Sequence, residues 1–299
     1  MVHKGEPWER PASGPAAWHV EGDDAALAAA VPPRIGVVLN VGSAHLGEFG
    51  SVDAIATAKG ELVEALPSNG VAVLNADDPR VAAMAKRTAA RVLTFGAQAE
   101  VRAEGLTLDA GRARFRLVTP AGSAPVALRL VGAHHVGNAL AAAAVAGELG
   151  GTAEAAAAAL SAAAPASRWR MEVTDRADGV TVVNDAYNAN PDSMAAALRA
   201  LAAVGGGRRT WAVLGPMREL GAESATAHEG VALLAKELGV DELVTVDSPE
   251  YGAGRPVTDV PAATALLQAE VAPGDVVLVK ASRAAGLDRI AAELLGGNA

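Results

Sequence analysis

Five short segments hold residues whose types and spacing could do chemistry. In Asn184-Asp185-Ala186-Tyr187-Asn188-Ala189-Asn190-Pro191 a carboxylate, amides and a phenol sit between an apolar run and a proline. Asp and Asn can bond ribose hydroxyls or base edges, and Tyr offers a stacking face, so such a junction can read a nucleotide. Asn, Asp and Pro are also ordinary turn residues, and on residue types alone the two readings stand level. In Asn40-Val41-Gly42-Ser43-Ala44-His45 a histidine follows another apolar run, where it can ligate a metal or touch phosphate; a structural histidine is the plainer reading. Lys59, in Ala56-Thr57-Ala58-Lys59-Gly60-Glu61, is one of only five lysines and is bracketed by small residues, although a solvated helix lysine explains it equally. Val279-Lys280-Ala281-Ser282-Arg283 places two cations and a hydroxyl at the end of an apolar run, a set suited to a carboxylate or phosphate. Arg168 and Arg170 flank Trp169 and could reach across a cleft to phosphate or ribose.

Elements that would position these residues follow from periodicity. Residues 1–33 are rich in Gly, Pro and isolated charges and read as irregular, with a short helix over Asp24–Val31. Strands are expected at Ile35–Val41, Val71–Asn75 and Arg91–Phe95, alternating with helices over Ser51–Leu66 and Pro79–Arg87, which indicates a parallel sheet. Val101–Leu108, Ala113–Thr119 and Ala124–Leu130 alternate polar with apolar residues between Gly-containing turns and predict a small antiparallel sheet. Helices over His134–Leu149 and Thr152–Ala163 close the first domain, and Pro165 marks its boundary. Beyond it, strands at Glu172–Asp175, Val180–Asn184, Thr210–Leu214, Glu242–Val246 and Val276–Lys280 alternate with four helices, a doubly wound pattern. Such sheets bind ligands at the carboxyl ends of their strands, where the candidate residues fall.

Composition excludes several classes of function. A net charge of −9 argues against a nucleic-acid surface. With no cysteine, disulfides, thiolate metal sites and cysteine nucleophiles are ruled out. No apolar run approaches the ~20 residues that span a bilayer, and Met1–Arg10 has no apolar signal core, so a cytoplasmic location is expected. The 299 residues contain no Gly-Lys pair, hence no G-x-x-x-x-G-K-[ST] phosphate loop, and neither G-x-S-x-G nor H-E-x-x-H.

Taken in order, several segments resemble one family. Asn40–His45 with Leu46–Gly50, Ala58-Lys59-Gly60-Glu61, Asn75-Ala76-Asp77-Asp78-Pro79 and Gly137-Asn138-Ala139-Leu140 are similar to the central domain of Mur ligases. Arg170-Met171-Glu172, Asn184–Met194, Leu214-Gly215, Glu219-Leu220-Gly221 and Val279–Arg283 are similar to their C-terminal domain. Tyr187–Met194 looks like the MurF branch. The resemblance runs from about Pro33 to the end and implies an α/β fold in two units. The first, 34–165, is a partial ATP-binding central domain with a parallel sheet and a small antiparallel sheet. The second, 166–299, is a doubly wound, Rossmann-like C-terminal domain. The resemblance also implies ATP-dependent ligation of D-alanyl-D-alanine to UDP-N-acetylmuramoyl-tripeptide through an acyl phosphate, with Mg²⁺, in a monomer. His45 would help hold the metal, as would Lys59 if carbamylated, and both would serve catalysis. Asn138 would contact adenine, and Arg170 ribose or phosphates. Asp185, Tyr187, Asn188 and Asn190 would complete the nucleotide pocket, with Lys280, Ser282 and Arg283 toward the peptide. The family's UDP-sugar domain and P-loop are not among these residues, which implies an N-terminal truncation and impaired turnover. Pro216 replaces a common acidic residue and Ala281 a common glycine. A silent nucleotide- or dipeptide-binding fragment, or another amide ligase of the Mur and folylpolyglutamate synthase superfamily, are the alternatives.

Overall fold

A run such as Val-Ala-Val-Leu can bury both faces only in a parallel sheet covered by helices. The computed structural model, which describes residues 23–42, 49–165 and 167–296, uses this arrangement twice. In the first half, β1 (Ile35–Val38), β2 (Val71–Asn75) and β3 (Arg91–Phe95) pair in parallel, with β2 central. A helix, α1 (Asp23–Ala30), precedes them; α2 (Val52–Glu64) and α3 (Pro79–Ala83) form the crossovers. Side chains of β2 alternate between two cores. Ala72 and Leu74 meet Val63, Leu66, Val81 and Met84 on one face, while Val71 and Val73 join Leu93 and Phe95 on the other.

The antiparallel sheet follows as β4 (Arg102–Asp109), β5 (Arg112–Thr119) and β6 (Gly122–Val131), bulged between Glu104 and Thr107 with Gly105 at φ 64°. Helices α4 (His135–Glu148) and α5 (Ala153–Ala162) pack on it. Helix α4 shares one apolar cluster with both sheets through Ala139, Leu140, Ala141, Ala143 and Ala144. Small side chains let it approach two sheets at once.

The second domain is a six-stranded sheet in the order β11-β10-β9-β12-β8-β7. Its strands are β7 (Glu172–Asp175), β8 (Thr181–Asp185), β9 (Thr210–Leu214), β10 (Glu242–Val246), β11 (Arg255–Val257) and β12 (Val276–Lys280). Helices α6 (Pro191–Gly205) and α7 (Ser224–Glu237) cover one face, and α8 (Val260–Glu270) and α9 (Asp288–Leu294) the other. The two domains touch: Val131, ending β6, packs in the cluster of Val204 in α6.

The chain therefore adopts the expected α/β class, with local differences. The first strand stops at Val38 rather than Val41, because side chains take over its backbone groups. Leu39 O accepts from Asn75 Nδ2 (2.8 Å), Asn40 O from Lys59 Nζ (2.9 Å), and Val41 N donates to Asp78 Oδ2 (2.7 Å). The helix expected over 79–87 tightens to a 3₁₀ turn at Met84–Arg87. Strand β7 runs antiparallel to β8 at one edge of an otherwise parallel sheet. Strand β11, unexpected from the sequence, is a three-residue edge strand holding Pro256, a position that proline tolerates.

Candidate active site at the domain junction

Strands β8 and β12 lie side by side, and their register sets Lys280 opposite Asp185 at their carboxyl ends. Lys280 is only 2% exposed. Its Nζ donates to Asp185 Oδ2 at 2.6 Å and to Asn188 O at 2.7 Å, while Asp185 Oδ1 accepts from Met171 N at 2.9 Å. One ion pair thus joins two strands, the 186–190 turn and the chain entering from the first domain. Burial pushes the Lys280 ammonium below its usual range, Asp185 opposes that, and nearby Arg170 adds to it.

The turn then enters α6 through a capping box. Asn190 Oδ1 accepts from Ser193 N (2.8 Å), and Ser193 Oγ accepts from Asn190 N (3.0 Å). Before it, Tyr187 carries the Arg170 guanidinium 4.2 Å above its ring centroid and that of Arg283 at 5.5 Å; Arg283 also lies 5.8 Å from the Trp169 ring. Trp169 and Met171 adopt left-handed backbone (φ 61° and 49°). Tyr187 N donates to Trp169 O and Met171 N to Asp185, which hold this strained segment against the second domain.

From the first domain, α4 brings His134, His135 and Asn138 to the same space, and the 40–42 loop and α2 bring Asn40 and Lys59. Burial is the main cause that lowers both histidines: His134 below its ordinary value, His135 to about 4 with His134 adding to the effect. Their rings lie 4.1 Å apart, and His135 Nε2 is buried without a hydrogen-bond partner. Together these elements enclose a cleft of about 980 Å³. A smaller pocket of about 250 Å³ opens beside it, lined by Tyr187, Arg218, Glu219, Ser282 and Arg283, and shares Asn188 and Asn190 with the cleft.

Of the residues singled out in the sequence, Lys59, Asn138, Arg170, Asp185, Asn188, Asn190 and Lys280 line the cleft. Tyr187, Ser282 and Arg283 line the smaller pocket. His45 lies outside the described residues. Three of these side chains also bond neighbouring groups of the protein. Lys280 pairs with Asp185, which the register of β12 against β8 sets opposite it. The Ser282 hydroxyl accepts from Arg218 N at 3.0 Å and so holds a loop. Asn190 uses its side-chain oxygen as a helix cap. Sequence reasoning missed His134, His135 and Arg218. The His-His pair one turn before Asn138, and the Arg-Glu pair just past a strand end, were the available signals.

The chain can be set against known proteins. Residues 18–146 match the Mur ligase middle domain and residues 169–283 the Mur ligase, glutamate ligase domain. The UDP-N-acetylmuramoyl-tripeptide–D-alanyl-D-alanine ligase of Mycobacterium tuberculosis is 50% identical over 307 residues, covering 92% of this chain and 60% of that protein. The enzyme of the same name from Escherichia coli is 35% identical over 270 residues, covering 86% and 59%. The chain thus spans about 60% of the length of such relatives. Among solved structures, MurF from Acinetobacter baumannii superposes with a TM-score of 0.84 at 30% identity, covering 92% of this chain and 62% of that one. MurF from Thermotoga maritima in complex with ADP gives 0.82 at 28% identity, covering 93% and 65%. The chain is thus a member of the Mur ligase family, carrying its middle and C-terminal domains.

Proposed function

We propose that this chain supplies the nucleotide cleft and the amine-substrate pocket of an ATP-dependent ligase joining D-alanyl-D-alanine to UDP-N-acetylmuramoyl-tripeptide. The observation that carries this reading is the wall shared by the two cavities: Asn188 and Asn190 line both. A reaction in two stages needs such a wall. The tripeptide carboxylate attacks the γ-phosphorus of ATP, ADP leaves, and an acyl phosphate remains. The dipeptide amine then attacks the acyl carbon, phosphate departs, and the nitrogen loses a proton. Charge grows first on phosphoryl oxygens and then on a tetrahedral carbon, so fixed cations supply the stabilisation.

In this reading Asn138 meets the base and Arg170 the ribose or phosphates, with Arg170 set in place by Tyr187. Asp185 and Lys280 hold the 186–190 turn between the cavities. Arg218 and Arg283 face the carboxylate of the dipeptide in the smaller pocket. Mg²⁺ bound to nucleotide phosphates needs only one or two protein oxygens and, when bound, neutralises phosphoryl charge. Lys59 fits such a role when carbamylated. Its Nζ–H bond to Asn40 O uses one proton, and a carbamate nitrogen keeps one. His45 is the second ligand in this reading. No helix among the described residues is long and apolar enough to cross a membrane; we place the reaction in the cytoplasm and read the chain as a monomer.

Calorimetry with ADP tests the assignment. The chain should bind ADP, and Asn138→Ala and Arg170→Ala should each weaken it about tenfold, one hydrogen bond's worth, while leaving D-alanyl-D-alanine binding intact. Unchanged ADP affinity in both variants would sink the nucleotide assignment. A second reading, binding without turnover, is favoured by one observation: no Gly-Lys pair occurs in these residues. Purified as these 299 residues, the protein should ligate poorly, and efficient ligation would exclude that second reading.

A further inference from the structure

The loop after β9 carries Arg218 and Glu219 into the smaller pocket, and Glu219 sits in the left-handed region at φ 66°. A non-glycine residue stays there only when its surroundings over-determine the backbone, and three side chains do so here. Ser282 Oγ accepts from Arg218 N (3.0 Å). Tyr251, fully buried, donates its hydroxyl to Gly215 O (2.9 Å). His228, 1% exposed on α7, accepts from Met217 N at Nε2 (3.0 Å) and bonds Ser224 O at Nδ1 (2.7 Å). A carbonyl can only accept, so the proton is on Nδ1, and the free lone pair of Nε2 meets the Met217 amide. The His228 ring is locked edge-on to Tyr251 at 4.8 Å. Neither His228 nor Tyr251 lines the pocket itself.

We propose that His228, backed by Tyr251, is a positioning residue that holds the 215–220 loop so that Arg218 and Glu219 present a zwitterion-recognising surface to the dipeptide. This rests on reading the smaller pocket as the dipeptide site. The acceptor at Nε2 is the working atom. His228→Gln can return an oxygen to that place, whereas His228→Asn reaches only the Nδ1 position. The two variants lose the same ring packing, so a merely structural histidine would treat them alike.

The test uses the full chain, titrated with D-alanyl-D-alanine by calorimetry, together with amide hydrogen exchange at Met217. His228→Asn should weaken dipeptide binding about tenfold, the loss of roughly one hydrogen bond, and speed Met217 exchange. His228→Gln should restore both toward the unaltered chain. Tyr251→Phe, which keeps the ring, guards against misfolding of the histidine variants and should weaken the dipeptide in the same direction. ADP affinity should stay within about twofold throughout, well short of one hydrogen bond. Dipeptide affinity left at the level of the unaltered chain in both His228→Asn and Tyr251→Phe, or identical behaviour of the Gln and Asn variants, would overturn the positioning role. Failure of the unaltered chain to bind the dipeptide would instead overturn the pocket assignment beneath it.

Discussion

Lys280 and Asp185 show how one residue can matter through what it leaves behind. An ammonium 2% exposed is costly to desolvate, and its attraction to Asp185 at 2.6 Å offsets that cost without guaranteeing net stability. Removing the partner is worse than removing the pair. Asp185→Ala should therefore lower unfolding free energy by about 3 kcal/mol, read from urea midpoints. Lys280→Met leaves Asp185, which is more exposed and still accepts from Met171 N, and should cost less; the reverse ranking would mean that Lys280 is not charged in the folded protein. His135 sets a pH dependence. Its imidazole is pushed down to about 4, chiefly by burial, against about 6.5 when unfolded. The unfolded chain takes up this proton first, so its contribution is complete above about pH 6.5 and falls away as pH drops toward 4. Denaturant midpoints across that window should decline, and His135→Gln should flatten the decline.

Among the elements, α6 and the β9–β12 pair depend on contacts that only their ends make. Asn190 and Ser193 satisfy each other's backbone amides at the start of α6. Asn190→Ala should cost about 1 kcal/mol and loosen the turn that separates the two cavities, seen as faster amide exchange at Ser193. At the carboxyl ends of β9 and β12, Gly215 N donates to Lys280 O and Ser282 N to Pro216 O. A Cβ on Gly215 would lie 2.8 Å from Ala281 Cβ and 2.9 Å from Leu287. Gly215→Ala should overpack this junction by roughly 1–3 kcal/mol, and intact thermal stability of that variant would contradict the close approach.

At the scale of the whole molecule, the cleft exists because two domains meet. Val131 and Val204 pack across the junction, and Gly111 lies against Val204. A ligand that spans the cleft binds the folded arrangement and not the unfolded chain, so ADP at about a hundred times its Kd should add roughly 2.7 kcal/mol of stability. That corresponds to a rise in melting temperature on the order of 5 °C. Arg170→Ala should reduce the rise. An equal rise in that variant would place the nucleotide away from Tyr187 and Arg170.

Much of this protein was legible in its sequence. Short apolar runs at Val71–Asn75 and Val276–Lys280 demanded parallel strands covered on both faces. Polar–apolar alternation with Gly turns after residue 101 demanded a separate antiparallel sheet. The ordered motifs from Lys59 to Arg283 marked most of the residues that gather at the cavities. These features are local, because periodicity and turn chemistry act over a few residues. What only the tertiary structure decided is the partner of each polar group. Lys280 meets Asp185 because the parallel pairing of β12 with β8 sets the two opposite each other. Asn190 and Ser282 became supports for neighbouring backbone. His228, in an unremarkable helix, became the acceptor for a loop residue eleven positions away. Register between β8 and β12, distant in sequence, set the Lys280 pairing, and packing of α7 and the β12 end against the 215–220 loop set those of His228 and Ser282; spacing along the chain specifies neither.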